Sequence, residues 1–235
     1  SRTGPDGALY VGDLYRGIIE HVIFMMPYLK HQILSRGLDK PIGMGRIYRI
    51  SHEGKKLGEV PHMSGQSSAE LLAHLSHPNG WWRDTAQRLL VERGATDAKD
   101  QLRRLAIGGA EHLGRMHALW TLEGMGQLDW KTVSEGIGDE NALVRSTAIR
   151  LSERFVDSGN REEVLARLQS AFADDRPMVQ LQLLLTLGEW KGELAEAQMV
   201  SILNDHPSAV FGTAAVSGTA GRELEFVARL LDGKN

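Results

Sequence analysis

Asp139-Glu140-Asn141-Ala142-Leu143-Val144-Arg145 decides how the chain is read, because variants of it recur at a nearly constant interval. An acidic residue stands where a helix begins, and an apolar stripe follows: Val144, Ala148, Leu151 and Phe155 recur at the spacing of one helix face. Counterparts begin at His77, Gly109, Asp174 and Asp205. Their seventh positions are Arg83, Arg115, Arg145, Gln180 and Phe211, spaced 32, 30, 35 and 31 residues apart. Three residues on stand Ala86, Ala118, Ala148, Leu183 and Ala214, so four of five copies keep a side chain small enough for neighbouring helices to approach closely.

Each copy is preceded by another amphipathic stretch: Leu71/Leu72/Leu75, Leu102/Leu105/Ala106, Trp130/Val133/Ile137, Val164/Leu165/Leu168/Phe172 and Met199/Val200/Leu203. The unit is a helical hairpin, and a hairpin buries both faces only by stacking on its neighbours. Asp139, Asp174 and Asp205 are expected to cap the second helices, with Pro78 and Pro207 inside the first turn. Residues 222–232 read as the first helix of an interrupted sixth unit.

The Asp…Val-Arg pattern resembles the HEAT repeat family, in which Asp and Arg form a ladder between repeats. The reading is a mainly α fold, a right-handed α-α superhelix (HEAT/armadillo-like solenoid) of about five hairpins over 67–235, with a short N-terminal β element in 1–60 and a linker at 61–66. All four tyrosines lie before residue 49 and all five tryptophans after residue 80, which marks the change of character. In the first segment Gly4-Pro5-Asp6-Gly7 is a turn. Ala8–Val11 and Gly45–Ile50 read as strands, Ile18–Arg36 as a helix and Gly37 as its C-cap. Two strands alone make no stable sheet, so the segment reads as part of a larger β structure or as an extension lying on the solenoid. The opening Ser1-Arg2-Thr3-Gly4-Pro5 reads as the interior of a longer protein.

This segment, with Asp13–His21, Leu38–Gly43 and His77–Leu90, resembles planctomycete-type membrane-bound dehydrogenases. In that family an exported glucose/sorbosone dehydrogenase-like β-propeller is followed by HEAT repeats and a c-type cytochrome. The resemblance implies a periplasmic or cell-envelope protein whose parent uses pyrroloquinoline quinone and c-type haem. It further implies that Asp13, Tyr15 and Arg16 end a propeller strand and line a cofactor pocket in that parent, Arg16 by pairing with a quinone carboxylate. The alternative for Arg16 is a bond to local carbonyls or a neighbouring acid.

No cofactor is expected in this chain. It has no cysteine, which removes a thiolate metal site, a cysteine nucleophile and a CxxCH haem attachment. The pairs His74/His77 and His112/His117 fall at repeat turns with no set of carboxylates at ligand spacing, so no metal and no catalytic residue is expected. Ser64, Ser67 and Ser68 read as linker residues. Trp81 and the arginines Arg83, Arg115 and Arg145 are the candidate interaction surface, with core packing for Trp82 and the Asp/Arg ladder as the competing explanation of the arginines. Residues 1–60 carry nine Lys/Arg against six Asp/Glu, and the remainder 18 against 24. A net −6 over the repeats argues against nucleic acid. The expected function is a scaffold within a larger exported oxidoreductase, bound to its other domains or a redox partner. The alternatives are a cofactor-contacting part of a quinone-dependent sugar or alcohol dehydrogenase, and a nucleic-acid-binding repeat protein.

Overall fold

In the computed structural model, residues 1–156, 161–190 and 192–232 are described, so the last residues of the expected repeat region, 233–235, lie outside. Two compact units are present: residues 1–62 with Pro78–Trp82, and Met63–His77 with the chain from Arg83 onward.

The N-terminal unit is built on an antiparallel sheet, β1 (Arg2–Thr3), β2 (Leu9–Asp13) and β3 (Arg46–Ile50), in the order β1-β2-β3. Val11 faces Tyr48 across the β2–β3 pair. The turn before β2 forms as its Gly-Pro-Asp-Gly composition requires, with Gly7 at φ 82°. Asp6 is the polar centre of this unit. It is buried, and its carboxylate accepts from the Ala8 amide at 3.1 Å, from the Tyr10 hydroxyl at 3.2 Å and from Arg49. Burial pushes its pKa up, but the Ala8 amide, Arg49 and Tyr10 together outweigh this and hold it below the ordinary carboxylate value. Asn79 donates to the Gly4 carbonyl at 2.9 Å and Trp82 Nε1 to that of Pro5 at 2.8 Å.

The helix expected over Ile18–Arg36 is shorter. Only α1 (Pro27–Ser35) is regular, preceded by a single 3₁₀ turn at Val22–Phe24. Pro27 occupies the first turn, where its missing N–H costs nothing, and it sets the start. Gly37 ends the helix at φ 64°, its amide on Leu34 and the next on Ile33.

The second unit is helical throughout. Its elements are α2 (Ser68–His74), α3 (Gly80–Arg93, whose first three residues group with the other unit), α4 (Lys99–Gly108), α5 (His112–Gly124), α6 (Trp130–Ile137) and α7 (Ala142–Ser152). The chain continues through α8 (Arg161–Gln169), α9 (Pro177–Gly188), α10 (Glu193–Asp205), α11 (Ala209–Gly218) and α12 (Glu223–Asp232). Helices α4/α5, α6/α7 and α10/α11 pack as hairpins. Second helices α5, α7, α9 and α11 form one row, and α4, α6 and α8 another, so the expected solenoid-like stacking is present.

The small position holds as read. Ala86, Ala118, Ala148, Leu183 and Ala214 are all buried. The closest approach is between α9 and α11, where a Cβ on Gly188 would lie 2.5 Å from the Gly218 Cα.

The caps fall two or three residues later than expected. Asn141 caps α7 by accepting from the Leu143 amide at 3.0 Å, Arg176 precedes α9 with Pro177 in the first turn, and Ser208 precedes α11. Pro78 and Pro207 therefore sit before their helices. Ser67, read as linker, caps α2 reciprocally with Glu70.

Candidate functional site

The most regular polar arrangement runs through the seventh repeat positions. Four of the five donate to the carbonyl six residues back: Arg83 to His77 at 2.6 Å, Arg115 to Gly109 at 2.7 Å, Arg145 to Asp139 at 2.9 Å and Gln180 to Asp174 at 2.7 Å. The second helices α3, α5, α7 and α9 are thus each tied to the turn that starts them.

Two of the arginines also reach forward. Arg115 grips Asp139 with Nε at 2.7 Å and Nη2 at 2.8 Å, and Arg145 grips Asp174 at 2.6 and 3.0 Å. These are bidentate pairs, the strongest geometry open to a guanidinium. Each aspartate also accepts a backbone amide, from Asn141 at 2.7 Å and from Arg176 at 2.9 Å. Asp139 and Asp174, expected as caps, are instead bridges between repeats, and Asp205 is the last residue of α10. Burial pushes the Asp174 pKa up, yet Arg145 and the Arg176 amide outweigh that and hold it low.

At Arg83 the next repeat has Gly109 where the carboxylate would be. Its Nε donates instead to His117 Nε2 at 3.2 Å, while His117 Nδ1 lies 2.7 Å from Gln87 Oε1. That assigns the neutral ring with its proton on Nδ1. Burial first, and the Arg83 charge second, lower the His117 pKa. At the other end the row loses its charge. Gln180 turns to the carbonyls of Phe172 and Asp174, and Phe211 stacks on His206 at 4.8 Å.

Of the residues singled out as an interaction surface, Arg83, Arg115 and Arg145 take equivalent places on α3, α5 and α7. Arg115 is 5% exposed. Trp81, on the first turn of α3, is half-buried, and its amide donates to Asn79 at 3.0 Å.

Asp13, Tyr15 and Arg16 follow one another at the end of β2. Asp13 accepts from the Tyr15 amide at 2.8 Å and lies 3.9 Å from Arg46, whose guanidinium covers the Tyr15 ring at 4.0 Å. Tyr15 takes φ 50°, and Arg16 reaches the Asp39 carbonyl at 3.4 Å.

One feature escaped the sequence reading. Leu181, Leu185, Ala209, Val210, Thr213, Ala214 and Ser217 line an apolar groove of about 490 Å³ between α9 and α11, without a charged residue. Val210 is 62% exposed there. The available signal was composition. Val179–Leu187 is apolar on nearly every face of its helix, more than one buried stripe needs.

Among the described residues no group of three His, Asp or Glu is placed to hold a metal ion, and no helix is long and apolar enough to cross a membrane. The expectation of a propeller-terminal segment from a membrane-bound dehydrogenase is corrected. A propeller blade is a four-stranded sheet packed around a channel. Here three strands form an open sheet, and no closed propeller is present among the described residues. No curated protein matches the chain. Residues 1–54 match one family profile, described as a domain of unknown function (DUF7133).

Proposed function

We propose that this chain is a protein-binding scaffold whose repeats carry no catalysis of their own. The observation that carries this reading is how its side chains are used. Polar groups at the repeat starts are consumed in holding the stack together, while Met178, Leu185, Val210 and Val216 are left exposed on α9 and α11. An uncharged groove between two stacked second helices suits an apolar segment of a partner protein, since a charged segment would lose hydration there with nothing in return. The −6 balance over 61–235 weighs against a polyanionic partner.

The test is site-specific photo-cross-linking in the native cell, with the cross-linker at Leu185, at Val210 and at the exposed Glu162 of α8. One and the same adduct from Leu185 and Val210, absent at Glu162 and lost in Leu185→Lys, is expected. Adducts of equal yield from all three positions, or none at the groove, contradict the reading.

A further inference from the structure

The second helices are not joined to one another by the same chemistry throughout. Arg115 on α5 grips Asp139 at the turn before α7, and Arg145 on α7 grips Asp174 at the turn before α9. Between α3 and α5 the link is a neutral histidine. Gln87, one turn beyond Arg83 on α3, takes the Nδ1 proton of His117, so α3 holds the ring at both nitrogens, by one donor and one acceptor. Only the uncharged ring meets both. His117 is 7% exposed, and a partner lost at such a site leaves a buried polar atom behind.

This link carries much of its joint. Among the described residues α5, α7, α9 and α11 approach closely along their backbones, and α3 makes no approach of that extent to α5. The apolar part of the joint includes Val91, two turns along α3 from Arg83, which lies over Gly124 of α5. The charges acting on the ring are those of Arg83 and Asp84, both on α3. Among the described residues α4 and α7, which also pack on α5, bring none to bear on it. Asp84 is exposed, so solvent and salt screen its pull.

We infer that the α3–α5 joint is an acid-sensitive point of the stack: a proton taken up at His117 Nε2 loosens α3 from α5, while the joints α5–α7 and α7–α9 hold. The protonated ring is a donor at both nitrogens. Its bond to Gln87 survives, but Nε2–H then faces Arg83 Nε–H, donor against donor and cation against cation. Burial and the Arg83 charge make the closed joint resist a proton that the open one accepts. The joint is therefore fully held above the ordinary imidazole value of about 6.5 and weakens as the pH falls below it. The links of Arg115 to Asp139 and of Arg145 to Asp174 contain no imidazole. His74 and His77, whose rings lie 6.5 Å apart where α2 ends, are the rival source of an acid response. The inference is independent of the α9–α11 groove, and either stands without the other.

The experiment is hydrogen–deuterium exchange of the full chain at pH 7.0 and pH 5.5, with protection corrected for the intrinsic exchange rate at each pH. Protection of the α3 amides is expected to fall about tenfold at pH 5.5, the equivalent of one unit of differential proton binding. The amides of α7 and α9 are expected to keep theirs. In His117→Gln a neutral amide oxygen replaces Nε2 as acceptor, and the α3 loss is expected to disappear. An NMR titration of the His117 ring in the unaltered chain is the second readout, expected to show its midpoint below 6.5. Three results overturn the inference: α3 protection that does not change with pH; an equal loss in α3, α7 and α9, which is global unfolding; or an α3 loss that persists in His117→Gln, which assigns it to His74 and His77. A His117 midpoint at or above 6.5 overturns it without any variant.

Discussion

Arg145 and Asp174 show how much one residue pair carries. Removing the guanidinium leaves a carboxylate enclosed between repeats with only the Arg176 amide to face it. Arg145→Ala is expected to cost about 3 kcal/mol in urea unfolding. Arg145→Lys keeps the charge but loses the paired fork, and falls between wild type and alanine. In a double-mutant cycle with Asp174→Asn, the double variant is expected to lose less than the sum of the two single losses.

The titrating groups give a pH dependence of fixed sign. His117, buried beside Arg83, and His74, half-buried near His77, both have lowered pKa values, desolvation being the first cause for each. Below the unfolded value of about 6.5 the unfolded chain takes up protons that the folded rings resist, so stability falls as pH drops. Asp6, Asp129 and Asp174 are held below 3.8, and their contribution is lost at still lower pH. Thermal melts are expected to drop between pH 7 and pH 5, and to drop less in His117→Gln. An unchanged drop in that variant would remove His117 from the account.

Among the elements, α9 and α11 make the most demanding contact. A side chain on Gly188 meets the backbone of Gly218, which cannot rotate away as a side-chain end can. Gly188→Val is expected to cost about 2–3 kcal/mol by forcing the helices apart. Gly212, on the same helix as Gly218, has nothing within 4 Å of its ideal Cβ. Gly212→Ala is therefore expected to be neutral or to stabilise by up to about 1 kcal/mol, from helix propensity alone. Chemical denaturation of the pair separates contact from propensity. If the two variants behave alike, the close approach is not what fixes this crossing.

Across the whole molecule, the aromatic residues report on different segments. The tyrosines all lie in residues 10–48, in a unit with few buried apolar side chains, while the helical signal comes mostly from the stack. Near-ultraviolet tyrosine ellipticity is expected to be lost at lower denaturant than far-ultraviolet helicity, because local stability follows buried apolar contact. Coincident transitions would show a single cooperative unit instead.

The repeat stack was legible because its evidence is local. Period, small residues and charge recur along the chain, and each copy of the pattern checks the others. Arg115 and Arg145 were likewise visible as ladder residues. The caps were misplaced because an aspartate before a helix looks alike whether it accepts the first free amides or an arginine from the previous repeat, and only the neighbouring repeat decides. Tyr15 and Arg16 could be named in sequence but not surrounded, since their neighbours Arg46 and Asp39 come from more than twenty residues away. Asp6 read as a turn residue. Its role as the unit's buried acceptor needs Arg49, brought across by the β2–β3 pairing. By itself, then, the sequence determined the helical, stacked character of the chain and the small buried positions at which its second helices pack, because burial of a periodic stripe is a property of each segment. Tertiary structure alone decided that the groove of α9 and α11 stays uncovered. Exposure is a remainder, and it exists only once every other segment has taken its place.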